Sequence, residues 1–323
     1  MTTSSGIDFR TIEPVRSVPA LIDLARLVSS VRGPRRVAVA AAGDAHVLAA
    51  VHEARIDGLI RPILFGDPAK IAEAAREVGL DLSKADVRPA ANNEVAAELA
   101  VKAVSGGEAD ILMKGLLDTA VLLRAVLNKE WGLRGGKLLS HVLAYDVPGT
   151  DFGRLFFMSD GAMNIEPDLK AKITIVENAV AVAHALGIPK PNVAMLAAVE
   201  VVNPEMSTAV DDAIISKMGD RGQIKGASID GPLALDNAVS LEAAKIKKIA
   251  SPVAGRADVL IVDDLDVGNV FYKTLVYFAR ARVAGVIMGA KAPIVLTSRA
   301  DSEEAKFNSL ALACVLSERL PLV

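Results

Sequence analysis

Along the chain, short apolar runs rich in Val, Ile and Leu alternate with longer stretches whose apolar residues recur every three to four positions. The first pattern predicts strands covered on both faces and the second predicts amphipathic helices; their alternation predicts βαβ units and a largely parallel sheet. Strands are expected at 36–41, 61–65, 86–89, 111–113, 138–144, 155–158, 193–197, 259–262, 286–288 and 294–297. Helices are expected at 15–31, 45–55, 69–78, 94–104, 119–128, 169–186, 205–217, 235–248, 268–281 and 302–316. Pro14, Asp67-Pro68, Asn203-Pro204 and Gly231-Pro232 sit just before helical patterns, where proline and small polar residues suit a helix start. A Gly/Pro/Asp-rich stretch at 145–153 separates two apolar runs and is the expected domain seam.

Composition sharpens this picture. A chain of 323 residues exceeds what one core usually serves, so two α/β domains are expected. Hydrophobic residues make up 52% and aromatics only 4%, which suits Ala, Val, Leu and Ile helices packed on parallel strands. The formal charge is −3 with no basic run, which argues against nucleic acid as a partner. An anionic ligand would have to be held by local arginines and lysines. Mean hydropathy is +0.37, yet no stretch approaches the roughly 18 consecutive apolar residues of a spanning helix. The opening MTTSSGIDFR has no charged start and apolar block of a secretion signal, so a soluble cytoplasmic protein is expected. The high apolar content leaves room for a subunit interface, and a homo-oligomer is expected. Cys314 is the single cysteine, which excludes an intramolecular disulfide; it falls well inside the last helix pattern, where a thiol is buried and inert.

Candidate chemistry gathers where apolar runs stop at small and charged residues, the corners that line ligand crevices in α/β sheets. At 298–304, Ser298, Arg299 and Asp301 precede a helix pattern. Asp301 with Glu304 reads as a capping-box-like start. Ser298 and Arg299 lie ahead of that cap and suit an anionic, phosphate-like group at a helix N-terminus. At 263–273, Asp263, Asp264 and Asp266 could hold a divalent metal or cap the next helix, and capping is favoured because neither EF-hand spacing nor a nearby histidine accompanies them. Gly268-Asn269 could let the backbone approach a ligand, with Lys273 one turn on. Lys114 stands at the carboxyl end of a strand, and Arg124 lies in the helix that follows, where a surface salt bridge is the bland alternative. The corners at 158–164 and 228–233 read as turns. His46, His52, His141 and His184 are scattered and expected in ordinary surface or packing roles. No G-x-G-x-x-G follows a strand, which weakens a dinucleotide reading.

These corners resemble a known family. SPVAGRADVLIVDDLDVGNVFYK, GAKAPIVLTSRADS, SIDGPLALDNAV and LMKGLLDTAVLLRAVLNKE are similar, in that order, to motifs of the phosphate acetyltransferase/phosphate butyryltransferase family, closest to its butyryl branch. The resemblance implies two three-layer α/β domains with an interdomain cleft, on a fold shared with isocitrate/isopropylmalate dehydrogenases. It implies a first domain of 1–145 and 300–323 and a second, dimerising domain of 146–299. The implied reaction is acyl-CoA plus phosphate giving acyl phosphate plus CoA, with coenzyme A as a substrate and neither metal nor redox cofactor. It also implies catalytic roles for Ser298 and Arg299 and substrate binding by Arg124, Asn269 and Lys273; Lys114 joins the substrate-binding set from its place at a strand's carboxyl end, and Asp301 joins the catalytic set as a candidate base. One departure stands out. Acetyl-type members carry an aspartate, proposed as the thiol base, seven residues after the motif serine; here that position is Ala305. Asp301 or Glu304 takes over, or no protein base is needed. Three rivals remain open: an NAD(P)-dependent dehydrogenase on the related fold, a non-catalytic acyl-CoA-binding protein, and an acyltransferase preferring an acyl carrier protein.

Overall fold

The computed structural model describes residues 12–150 and 152–319; the opening segment considered for a secretion signal lies outside them. In chain order the first elements are α1 (Val18–Arg32), β1 (Arg35–Ala40), α2 (Ala45–Ile56), β2 (Ile60–Gly66), α3 (Pro68–Val78), β3 (Asp86–Pro89), α4 (Asn93–Ser105), β4 (Ile111–Lys114) and α5 (Thr119–Val126). Then come β5 (Ser140–Asp146), β6 (Phe156–Ser159), α6 (Leu169–Ala185), β7 (Asn192–Leu196), α7 (Ser207–Asp220), β8 (Ser228–Leu233), α8 (Leu235–Val239) and α9 (Leu241–Ile246). The last are β9 (Val259–Ile261), α10 (Leu265–Tyr277), β10 (Arg282–Met288), β11 (Ile294–Val295) and α11 (Glu303–Arg319).

The chain divides into two compact units. The first holds Pro19–Lys137 and, of the described C-terminal residues, 284–319; the second holds Glu13–Val18 and Leu138–Val283. The two later changes of unit fall at 137/138 and 283/284, where the resemblance implied 145/146 and 299/300.

In the first unit the strand order is β3-β2-β1-β4-β11-β10. β1 pairs parallel with β2 and β4, β4 pairs parallel with β11, and β11 meets β10 antiparallel. The chain runs outward from β1 through β2 to β3, then returns to place β4 on the other side of β1. That reversal makes a topological switch point at the carboxyl ends of β1 and β4, where open α/β sheets bind ligands. Helix starts follow local chemistry: Asp67 accepts from Ala69 N at 2.9 Å ahead of Pro68, and Gly79 closes α3 at φ +72°. α11 is enclosed on all sides, every residue from Ala305 to Leu316 being buried. Cys314 lies within it, fully buried, its thiol pushed up to about 12 by burial.

In the second unit the order is β5-β6-β9-β7-β8, with β5 and β6 antiparallel and the other neighbours parallel. Two sequence expectations are corrected here. Residues 228–233, read as a turn, form edge strand β8, where Pro232 is tolerated because an edge strand need not donate on both sides. The single helix expected at 235–248 breaks at Ser240, which ends α8 and caps α9, accepting from Ala243 N at 3.2 Å.

Candidate functional site

Three adjacent parallel strands of the first unit, β1, β4 and β11, deliver their following residues to one place. A cavity of about 200 Å³ there is lined by Asp44, His46 and Val47 after β1, by Lys114 and Gly115-Leu116 at the end of β4, and by Thr297, Ser298 and Arg299 after β11. Lys306, from the first turn of α11, completes the lining. The corners are sewn together by the backbone: Gly115 N donates to Ala40 O at 2.8 Å and Leu116 N to Ala41 O at 2.9 Å. A Cβ on Gly115 would lie 2.2 Å from Ala41 O, so only glycine permits this approach. Asp44 caps α2 by accepting from Val47 N at 2.9 Å.

The turn carrying Ser298 and Arg299 is built by its own residues. Asp301 Oδ2 accepts from Ser298 N at 2.7 Å, and Asp301 N donates to Ser298 O at 3.2 Å. The capping assignment is thereby corrected. Ser302 caps α11, its hydroxyl accepting from Ala305 N at 3.1 Å, while Asp301 is buried and turns its carboxylate back to hold the serine. Asp301 is not among the cavity's lining residues. Arg299 is largely exposed and donates to Asp118 Oδ1 at 3.0 Å, an exposed pair that leaves the guanidinium accessible.

Two lysines dominate the electrostatics. Lys114 is 6% exposed and Lys306 2% exposed. Burial holds both ammonium groups below their usual range; for Lys114 the neighbouring charges of Arg299 and Lys306 add to it while the carboxylates of Asp118 and Asp44 oppose it, and for Lys306 the carboxylates of Asp301, Asp44 and Glu303 oppose it. Lys306 Nζ donates to the carbonyl of Asp301. Among the described residues, neither lysine has a carboxylate at ion-pair distance, and Lys114 Nζ makes no hydrogen bond. Such an arrangement is fitted to receive an anion. At the rim, His46 Nδ1 lies 3.1 Å from Glu303 Oε1.

Of the residues proposed from sequence, Ser298, Arg299 and Lys114 line this cavity. Arg124 is exposed near the end of α5, outside the lining, and forms no ion pair among the described residues, so the salt bridge considered for it is not made. Asn269 and Lys273 belong to the second unit, on α10. Asn269 is exposed, and Lys273 is half-buried with its ammonium 4.2 Å from the Tyr272 ring centroid. The close approach at Gly268 is made by protein: a Cβ there would lie 2.1 Å from Asp160 O. The acidic run before α10 is used within the fold. Asp264 caps the helix, accepting from Val267 N at 2.8 Å, and Asp263 accepts from Lys172 Nζ at 2.5 Å and from the Thr208 hydroxyl. No group of three or more His, Cys, Asp or Glu suited to a metal occurs among the described residues. Nor is any described helix long and apolar enough to cross a membrane. Sequence reasoning missed Asp44 and Lys306, while His46 is exposed at the surface as expected. Asp44 was findable as a small polar corner after β1; Lys306 carried no such signal.

A family profile described as "Phosphate acetyl/butaryl transferase" matches residues 89–314. A phosphate butyryltransferase of Clostridium beijerinckii is 51% identical over 88% of this chain and 94% of its own length. A phosphate acetyltransferase of Thermotoga maritima is 46% identical over 91% of this chain and 99% of its own. The crystal structure of a branched-chain phosphotransacylase from Enterococcus faecalis superposes with a TM-score of 0.79 at 36% identity, covering 88% of this chain and 99% of that one.

Proposed function

Because the chain belongs to the phosphate acetyl/butyryl transferase family, we propose that it transfers an acyl group directly between coenzyme A and phosphate, with Ser298 and Arg299 holding the phosphoryl group. Its reaction is acyl-CoA plus phosphate giving acyl phosphate plus CoA. The observation that carries the phosphoryl assignment is the lining of one cavity by Ser298, Arg299, Lys114 and Lys306 at a switch point of parallel strand ends. A space of about 200 Å³ suits a small tetrahedral anion, since whole drug-sized ligands fill roughly 300–1,000 Å³. The phosphoryl end binds there, and the bulk of coenzyme A lies elsewhere.

In the direction of acyl phosphate synthesis, a phosphate oxygen attacks the thioester carbonyl. The new C–O bond forms as the C–S bond breaks, and the proton lost by hydrogen phosphate ends on the departing thiolate. Charge builds on the carbonyl oxygen and the leaving sulfur, so fixed donors and cations stabilise the transition state more than the ground state. The Ser298 hydroxyl and the Arg299 guanidinium supply donors to the phosphoryl oxygens, and Lys114 supplies charge. Asp301 contributes through Ser298, whose N–H it accepts. A coenzyme A thiol has a pKa of about 8.5, so nearby cations suffice to favour its thiolate without an aspartate at position 305.

Arg124 is assigned to coenzyme A, which enters as a substrate, and Asn269 and Lys273 are assigned to substrate binding; the reaction needs no metal or redox cofactor. The favoured acyl group is short, butyryl before acetyl, following the named activities of the relatives. The dehydrogenase and binding-protein readings lose ground to acyltransferase relatives that match over most of the chain. A cytoplasmic homodimer completes the reading. It is supported by Val267, Val270, Tyr277 and Phe278, an apolar stripe along and just beyond α10 that is 50–85% exposed and suited to a second copy. The test is an acyl-CoA panel, acetyl to hexanoyl, assayed with phosphate through the released thiol. Turnover peaking at butyryl is expected; no turnover with any member refutes the reading.

A further inference from the structure

Lys306 sits one residue beyond Ala305, in the first turn of a helix whose next ten residues are all buried. A lysine there would ordinarily be a liability, since burying an ammonium is costly unless its charge is met. Its backbone N–H is used inside α11, donating to Ser302 O at 3.1 Å. Its side chain folds back over the turn before the helix and donates to the carbonyl of Asp301, the residue whose carboxylate holds Ser298. One carbonyl satisfies one of three ammonium donors and none of the formal charge. Lys306 nevertheless lines the cavity together with Lys114, which is also buried and without a hydrogen-bond partner among the described residues.

Building on the acyltransferase reading, we propose that Lys306 is a further catalytic residue, a second buried cation that contacts the phosphoryl group alongside Ser298, Arg299 and Lys114. The arrangement explains why a charge is kept where a hydrophobic residue would pack as well. The bond to Asp301 fixes where the ammonium stands, and two remaining donors are left for phosphoryl oxygens. A dianion entering the cavity gives both lysines a counter-charge at ion-pair distance, which no carboxylate among the described residues supplies.

The rival explanation is a latch, in which Lys306 only ties α11 to the Ser298 turn. Lys306→Gln separates the two, because the glutamine amide can still donate to the Asp301 carbonyl but carries no charge. Inorganic phosphate binding is measured by calorimetry on the full-length chain, and KM for phosphate and for butyryl-CoA by steady-state kinetics. The expected result is a dissociation constant and KM for phosphate raised about 10- to 100-fold, with KM for butyryl-CoA moved less than about threefold. Wild-type phosphate affinity in Lys306→Gln overturns the proposal, as does an equal rise in both KM values. Should Lys306→Gln fail to fold, Lys306→Met is read in the same way, and failure of both to fold overturns the proposal in favour of the latch. The reading beneath it fails separately. If the unmodified chain binds phosphate but turns over no acyl-CoA, the acyltransferase assignment falls, and the role of Lys306 in anion binding still stands or falls on the calorimetry.

Discussion

Each unit buries lysine near a strand's carboxyl end, and the two units treat it in opposite ways. In the second unit, Lys172 donates to Asp263 at 2.5 Å and to Asp211 at 3.1 Å, and Asp263 also accepts from the Thr208 hydroxyl. Burial alone would push the Lys172 ammonium down, yet its bonds to Asp263 and Asp211 outweigh that and hold it above the usual range. In the first unit, Lys114 and Lys306 are buried as deeply but held below it. The difference lies in who supplies the counter-charge. A lysine closed by its own carboxylates is a strut, whereas one with no carboxylate at ion-pair distance is open to an anion from solvent, as the proposed site requires. Burial of a charged residue does not distinguish these cases; the list of its partners does.

The largest effect expected from breaking this contrast lies on the open side. On the proposed assignment Arg299→Ala removes a donor from the developing charge, and kcat/KM for phosphate should fall by about 10²–10³. The Asp118 pair it also removes is exposed and of the kind worth little, so the urea midpoint should hardly move. A loss below tenfold would take Arg299 out of the reacting centre. On the closed side the expected signature is reversed. Lys172→Met leaves Asp263 and Asp211 without their shared cation, and stability should drop by roughly 3 kcal/mol in urea unfolding. KM for phosphate, measured where the variant stays folded, should stay near wild type. A stable Lys172→Met protein would show that the strut contributes nothing.

Much of this was legible because strand ends announce themselves. An apolar run that stops at Thr-Ser-Arg or Lys-Gly marks both the strand and the corner after it, so Ser298, Arg299 and Lys114 could be picked out before any coordinates. Lys306 could not. It lies inside a helical pattern, where a lysine is ordinarily read as solvent-facing, and only the enclosure of α11 turns it inward. β8 was hidden by its own Gly231 and Pro232, which count against a strand unless it is known to lie at an edge. At the head of α11, Asp301 and Ser302 are equally good caps on paper. Which of them caps is decided by where the preceding turn needs a carboxylate, and that depends on Ser298 N, three residues back.

The smallest expected effect sharpens the same contrast, because the closed cluster contains one group left out of its bonding. Asp212 is 2% exposed, beside Asp211 on α7, and among the described residues its Oδ2 has no hydrogen-bond partner. Burial pushes its carboxyl up to about 8; Lys172 pulls the other way, and Asp263 and Asp211 reinforce the rise. Since the folded value lies above the unfolded one, the folded chain binds the extra proton between about pH 4 and pH 8. The stability this confers is fully present below the unfolded pKa and is lost as pH rises through the folded one. Near neutrality the slope should approach 1 kcal/mol per pH unit, bounded by about 1.4 for a single proton. Asp212→Asn keeps the shape and removes the titration, so its urea midpoint should run flatter between pH 6.5 and 8.5 than that of the unmodified chain. Parallel curves would mean that Asp212 stays ionised in the folded chain, with Lys172 shared among three carboxylates and the cluster less closed than its hydrogen bonds suggest.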